Sequence, residues 1–164
     1  MHIELIKAEA PAVVETLFQY YLYDMSEYTG WNPDANGSYG VSPQVTQLYD
    51  YWRKDDHHPL LIKVDGELAG FSLLRRYPFD PDYYDIGQFF VLRKYKRQGV
   101  GATAFGKSVS KFPGKWLTRV LPENTGALAF WQTVISAVAA EPLTVSTENY
   151  GDKVMKFIRY TVTS

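Results

Sequence analysis

Phe89-Phe90-Val91-Leu92-Arg93-Lys94-Tyr95-Lys96-Arg97-Gln98-Gly99-Val100-Gly101-Ala102 decides the fold. An apolar run stops, a basic cluster follows, two glycines come one residue apart, and a helical pattern begins. Glycines at a strand-to-helix corner let backbone N–H groups approach a ligand closely. The first turn of the helix behind them has unpaired N–H donors and the positive end of a dipole. Such a corner suits a phosphate. Arg93, Lys94, Lys96 and Arg97 add fixed positive charge, which points to a nucleotide-like cofactor.

The surrounding chain sets the context. Its 164 residues suffice for one domain, expected over 1–164, with a substantial core. Hydrophobic residues make up 46% and charged residues 21%, a soluble globular composition. No apolar run is long enough to cross a bilayer, so no membrane is expected. Met1-His2-Ile3-Glu4-Leu5 lacks the basic and apolar regions of a signal peptide. There is no cysteine, which excludes disulfides, thiolate metal sites and a cysteine nucleophile and fits a cytoplasmic location. His2, His57 and His58 are too few and too poorly spaced for a metal site, so no metal is expected.

The net charge of −1 hides an asymmetry. Up to Leu92 there are 14 acidic and 6 basic residues, a net −8; from Arg93 onward there are 4 acidic and 11 basic, a net +7. The second half suits an anion and the first a cation, although solvated surface explains part of the split.

Periodicity gives the elements. Ile3 to Lys7 alternates as an edge strand. Pro11 suits a helix start, and Val14, Leu17, Phe18, Tyr21 and Leu22 repeat at helical spacing. From Asp24 to Ser42 the glycines, asparagines and prolines predict a loop. Val45 to Trp52 predicts a short helix that starts from Ser42-Pro43. Leu60 to Val64, Asp65-Gly66 and Leu68 to Arg75 form a hairpin signal. Tyr84 to Leu92 is a buried strand, Gly99 to Lys111 a helix, and Trp116 to Leu121 a strand. Asn124 opens a helix with Ala127, Phe130, Trp131, Val134 and Val138 on one face. Leu143 to Thr147 and Val154 to Val162 are a last strand pair. The expected class is α/β, one mixed sheet with helices.

Three phosphate loops compete for the glycines. A P-loop needs Lys-Ser/Thr directly after its last glycine, and none is present. A dinucleotide fingerprint matches Gly99, Gly101 and Ala104. Its context does not, because hairpins precede it where parallel βαβ units belong. The third is a resemblance. Lys96-Arg97-Gln98-Gly99-Val100-Gly101 resembles the Arg/Gln-x-x-Gly-x-Gly/Ala acetyl-CoA loop of the GNAT N-acetyltransferase superfamily. Asn124-Thr125-Gly126-Ala127-Leu128-Ala129-Phe130-Trp131 resembles that family's second motif, Asn-x-x-Ala-x-x-aromatic-Tyr. The spacing between the motifs and the order of elements agree along essentially the whole chain. Two departures stand out: Lys96 replaces the usual Arg or Gln, and Trp131 stands where many members have tyrosine.

The resemblance implies a mixed, mostly antiparallel sheet flanked by helices and direct transfer of acetyl from acetyl-CoA to a primary amine. Pantetheine would pair with backbone from Phe89 through Phe90 to Val91, and the Val91 N–H would polarise the thioester. Backbone N–H groups of Arg97, Gln98, Gly99, Val100, Gly101 and Ala102 would hold the pyrophosphate, with Lys96 adding charge. Asn124 would contact pantetheine, cap its helix, or both. Trp131 would pack against pantetheine or the core; an indole cannot deliver a proton. Asp85 corresponds to the glutamate base of some members and would act through water, unless it is an exposed strand-end aspartate. Tyr150, expected in a loop, would substitute for the missing acid, if the leaving thiolate needs one.

The acceptor region would be Tyr20 to Tyr39 with the loop Tyr77 to Tyr84. Asp24, Glu27, Tyr28, Trp31 and Asp82 would suit an ammonium through ion pairs and cation–π contact. The expected partner is a small-molecule or peptide amine. No nucleic acid is expected, because the basic residues follow one loop. The final strand pair offers an edge for a homodimer. An acyl-CoA-binding sensor without turnover is the alternative.

Overall fold

The computed structural model describes residues 1–40 and 47–164. The elements run β1 (Ile3–Lys7), α1 (Pro11–Thr29), α2 (Asp50–Arg53), β2 (His57–Val64), β3 (Glu67–Arg76), β4 (Tyr84–Val91), α3 (Val100–Ser110), β5 (Gly114–Val120), α4 (Thr125–Ser136), β6 (Thr144–Tyr150) and β7 (Lys153–Val162). The seven strands form one sheet in the order β1-β2-β3-β4-β5-β7-β6. Every neighbouring pair is antiparallel except β4 with β5. This is the mixed, mostly antiparallel sheet that the resemblance implies.

Side chains alternate across the sheet and sort the helices onto its two faces. Phe71, Leu73 and Phe90 pack with Val14, Leu17, Phe18 and Leu22 of α1 and Tyr51 of α2. On the other face Leu74, Ile86, Trp116 and Ile158 pack with Phe105 and Val109 of α3 and Trp131, Val134 and Ile135 of α4. Among the described residues no helix is long and apolar enough to cross a membrane.

Local chemistry explains the joints. Asp65 and Gly66 have φ of 50° and 81°, the two positive values that a tight two-residue hairpin turn requires. Pro11 occupies the first turn of α1. The loop expected from Asp24 begins later, since α1 continues to Thr29. No residue from Asp24 to Thr29 breaks a helix. It stops at Gly30, whose φ is 77° and whose N–H bonds to the Ser26 carbonyl at 2.8 Å. The short helix expected from Val45 to Trp52 lies partly outside the described residues, as do Ser42 and Pro43; within them, α2 ends at Arg53. Tyr150 is corrected too: it is the last residue of edge strand β6, paired with Lys153, rather than a loop residue. Polar and mostly exposed, β6 carries little hydrophobic alternation.

Candidate active site

The parallel pair β4–β5 is short. Its register consists of Tyr84↔Trp116 and Asp85↔Leu117, and the strands then diverge. Past Asp85, β4 stays paired with β3 on one side through Val91. Its other side opens into a fork. Leu92 donates its N–H to Ala69 of β3 at 2.8 Å. Successive N–H groups alternate across a strand, so those of Phe89 and Val91 point into the fork.

A bulge sits at the apex. Leu73 pairs with Gln88 and Leu74 with Ile86, which leaves Gly87 as the extra residue. A Cβ at Gly87 would stand 1.8 Å from the Tyr51 hydroxyl, so glycine is what lets this phenol approach the bulge. Gly70 on β3 has a similar role: a Cβ there would meet the Phe90 carbonyl oxygen at 1.9 Å.

β4 leads directly into the glycine loop. After a 3₁₀ turn at Arg93–Tyr95, Arg97 adopts φ 62° and Gly99 φ 78°. The Arg97 value costs on the order of 1–2 kcal/mol for a residue with a Cβ. Strain of this kind concentrates at binding loops. The first bond of α3 runs from the Thr103 N–H to the Gly99 carbonyl at 3.0 Å. No side chain caps the helix, and no acidic residue lies in its first turn. The Val100, Gly101 and Ala102 N–H groups therefore remain available for an anion. Lys94, Lys96, Arg97 and Gln98 are exposed around them. Gln98 braces the loop through its side-chain amide, which donates to the Lys94 carbonyl at 2.8 Å. Arg93 is diverted: it reaches Asp24 of α1 at 2.6 Å.

The second motif closes the other side. Asn124 caps α4, its side-chain oxygen accepting from the Ala127 N–H at 3.0 Å. Trp131 is buried, with ring centroids 5.2 Å from Phe89, 5.3 Å from Phe105 and 5.1 Å from Phe130. It is a core residue, which leaves the tyrosine's usual position without a proton donor. Phe130 reaches the loop itself: a Cβ at Gly101 would lie 3.1 Å from its ring.

Asp85 is fully buried, unlike an exposed strand-end residue. Its Oδ2 accepts from Arg75 Nε at 2.9 Å and Arg119 Nη2 at 3.0 Å. Asp85 Oδ1 and Arg119 Nε have no partner among the described residues. The Arg75 guanidinium also donates to the Tyr150 hydroxyl at 3.0 Å, and the Arg119 guanidinium lies 4.0 Å from the Tyr150 ring centroid. The fork apex thus holds two guanidiniums, one carboxylate and two phenols, Tyr150 and Tyr51. Burial pushes the Tyr21 phenol up to about 12, with Arg119 pulling it down and Asp85 pushing it up.

The sequence singles out Asp85 and Tyr150; Arg75, Arg119 and Tyr51, which the fold brings beside them, it does not. A signal existed: Arg75 follows Leu73-Leu74, and Arg119 stands between Leu117-Thr118 and Val120, both inside apolar strands. A charge in such a run needs a buried partner.

Two of the expected cation-selecting residues are already engaged by cations of this chain. Asp24 is taken by Arg93. The Trp31 face is taken by Lys153, whose Nζ lies 4.7 Å from the ring centroid. Glu27 and Tyr28 are exposed at the end of α1, and Asp82 is exposed in the β3–β4 loop.

The architecture recurs in solved structures. An acetyltransferase from Thermus thermophilus superposes with a TM-score of 0.68 at 14% identity, covering 99% of this chain and 98% of that one. The ribosomal-protein-S18-alanine N-acetyltransferase from Escherichia coli gives 0.62 at 13% identity, over 99% and 96% of the two chains. PaiA N-acetyltransferase from Thermoplasma acidophilum, in complex with coenzyme A, gives 0.63 at 12% identity, over 98% and 99%. At these identities the likeness establishes the fold alone. No curated protein matches the sequence. The family model described as Acetyltransferase (GNAT) family matches residues 19–134, well over half of the chain and both motifs, so this chain belongs to the GNAT acetyltransferase family.

Proposed function

We propose that the protein transfers acetyl from acetyl-CoA to a primary amine by direct attack. One observation carries the reading: the open edge of β4 runs straight into the uncapped first turn of α3. An extended arm with amides suits the first, and a pyrophosphate suits the second. Phe89 and Val91 N–H groups would hold the arm, and those of Val100, Gly101 and Ala102 the pyrophosphate. Arg97, Gln98 and Gly99 shape that cradle, with Lys96 supplying charge. Acetyl-CoA supplies an activated acetyl thioester; the new bond is N–C, the broken bond is C–S, and the thiol is released.

The chain's own contribution at the apex is electrostatic. An alkyl amine is protonated at neutral pH and must lose that proton to attack. Two guanidiniums against one carboxylate leave a buried positive charge beside the apex. The amine sheds its proton to solvent before it attacks, and the guanidinium N–H groups give the apex fixed donors for negative charge. This gives Asp85 a positioning role, holding Arg75 and Arg119, in place of the expected base. The Tyr150 hydroxyl lies beside the apex and is our proposed proton donor: it gives its proton to the departing thiolate and takes back the one that the new amide nitrogen sheds. Phe130 and Trp131 wall the arm's path and exclude water from it.

A sensor that binds acetyl-CoA without turnover is the second reading, favoured by the buried Trp131 and the ion-paired Asp85. A thiol-release assay across a panel of primary amines separates the two. Amine-dependent CoA release supports transfer; binding with no release from any amine supports the sensor.

A further inference from the structure

We infer that the acceptor carries a carboxylate a few bonds from its amine, and that Arg75 and Arg119 receive it. The inference rests on the acetyl-transfer reading and concerns the same fork.

The apex is short of negative charge. Arg75, Asp85 and Arg119 have side chains 9%, 0% and 8% exposed, so the cluster lies at low dielectric with one uncompensated cation. Arg119 Nε is a buried donor and Asp85 Oδ1 a buried acceptor, both without a partner among the described residues, and pairing them with each other would leave the surplus cation in place. An uncompensated buried cation is costly, and a carboxylate matches the fork of N–H groups on a guanidinium. The nearby carboxylate of Glu148 does not supply the charge, because it is committed to Arg159.

The position is also right. Leu117 pairs with Asp85 in the last rung of the β4–β5 ladder, and Arg119 follows two residues later on diverging β5. An acceptor amine brought to the apex would set substituents a few bonds away against this pair. Tyr77, Tyr150 and Phe79 collect beside it; the Phe79 ring packs edge-on against both tyrosines and is otherwise exposed. They form an apolar wall for the rest of the acceptor. The groups that would have selected a cation, Asp24 and Trp31, are already occupied by Arg93 and Lys153.

The test is thiol release from acetyl-CoA with α-amino acids and β-alanine, each beside its carboxamide. The amide's amine is the less basic, so more of it is neutral at the assay pH and a preference for the acid does not come from amine protonation. For at least one pair the acid is expected to exceed the amide in kcat/KM by about 10- to 100-fold, the range of a charged hydrogen-bonded contact. Arg119→Lys should shrink that ratio by raising acceptor KM, with the acetyl-CoA Kd from calorimetry unchanged. Amides equal to or better than acids in every pair overturn the acceptor assignment while leaving acetyl transfer standing. Binding of acetyl-CoA without release from any amine overturns it in favour of the sensor, and absence of binding overturns both readings. The wild-type ratio does not depend on the variant folding.

Discussion

Gly87→Ala is the most exacting perturbation of the fork. An alanine Cβ would stand 1.8 Å from the Tyr51 hydroxyl oxygen, 3.1 Å from its Cζ and 3.3 Å from the Leu73 carbonyl oxygen. The first distance is impossible, so the Tyr51 ring or the bulge must move. Tyr51 is 5% exposed and packed among Phe18, Phe71 and Leu73, so little room exists. Overpacking of this kind costs about 1–3 kcal/mol. At roughly 2–4 °C per kcal/mol for a chain this size, Tm should fall by about 2–12 °C. Tyr51→Phe removes the atom that clashes first and leaves the ring Cζ at a tight but adjustable distance. The double variant should therefore be less destabilised than the sum of the singles, by about 1–2 kcal/mol in a double-mutant cycle. Urea unfolding of the four proteins reads this directly. Additive effects within about 0.5 kcal/mol would refute the placement of Tyr51 against the bulge.

Two further outcomes follow from the charges. Asp85→Ala leaves two buried guanidiniums facing one another and should cost about 3–5 kcal/mol in denaturant unfolding, whereas an exposed strand-end aspartate would cost under about 1 kcal/mol. His57 is buried, and burial lowers its pKa despite the Asp56 hydrogen bond at 2.7 Å. The unfolded chain then binds the proton more readily, so stability falls as pH drops through the ordinary histidine range near about 6.5 towards the folded value. His57→Gln should flatten that part of the pH–stability curve measured by urea unfolding; a slope unchanged from the wild type between about pH 7.5 and 5.5 would refute it.

What the sequence makes legible is local. The hairpin is written in Asp65-Gly66, the loop in Gly99 and Gly101, and the α4 cap in Asn124, because each position answers to its own backbone conformation or nearest neighbours. What it conceals is long-range. Arg75 and Tyr150 are 75 residues apart and meet only because β6 folds back beside β7. Asp85 reads as a strand-end acid until β3 and β5 bring a guanidinium from each side. Asp24 and Trp31 look free for a cation until Arg93 and Lys153 arrive from distant elements. The acidic and basic halves therefore pair with one another in part, and the sequence's charge asymmetry overstates what remains for ligands.

The central claim is that the fork and the first turn of α3 hold acetyl-CoA. Calorimetric titration of acetyl-CoA into the wild type and Gly101→Glu tests it. Glutamate adds a negative charge where three N–H donors await an anion, and its Cβ crowds Phe130 at 3.1 Å. The wild type should bind one equivalent saturably, with affinity that weakens as salt rises, and the variant should lose binding while its far-UV spectrum is unchanged. No binding by the wild type at millimolar acetyl-CoA, or equal binding by the variant, would contradict the account.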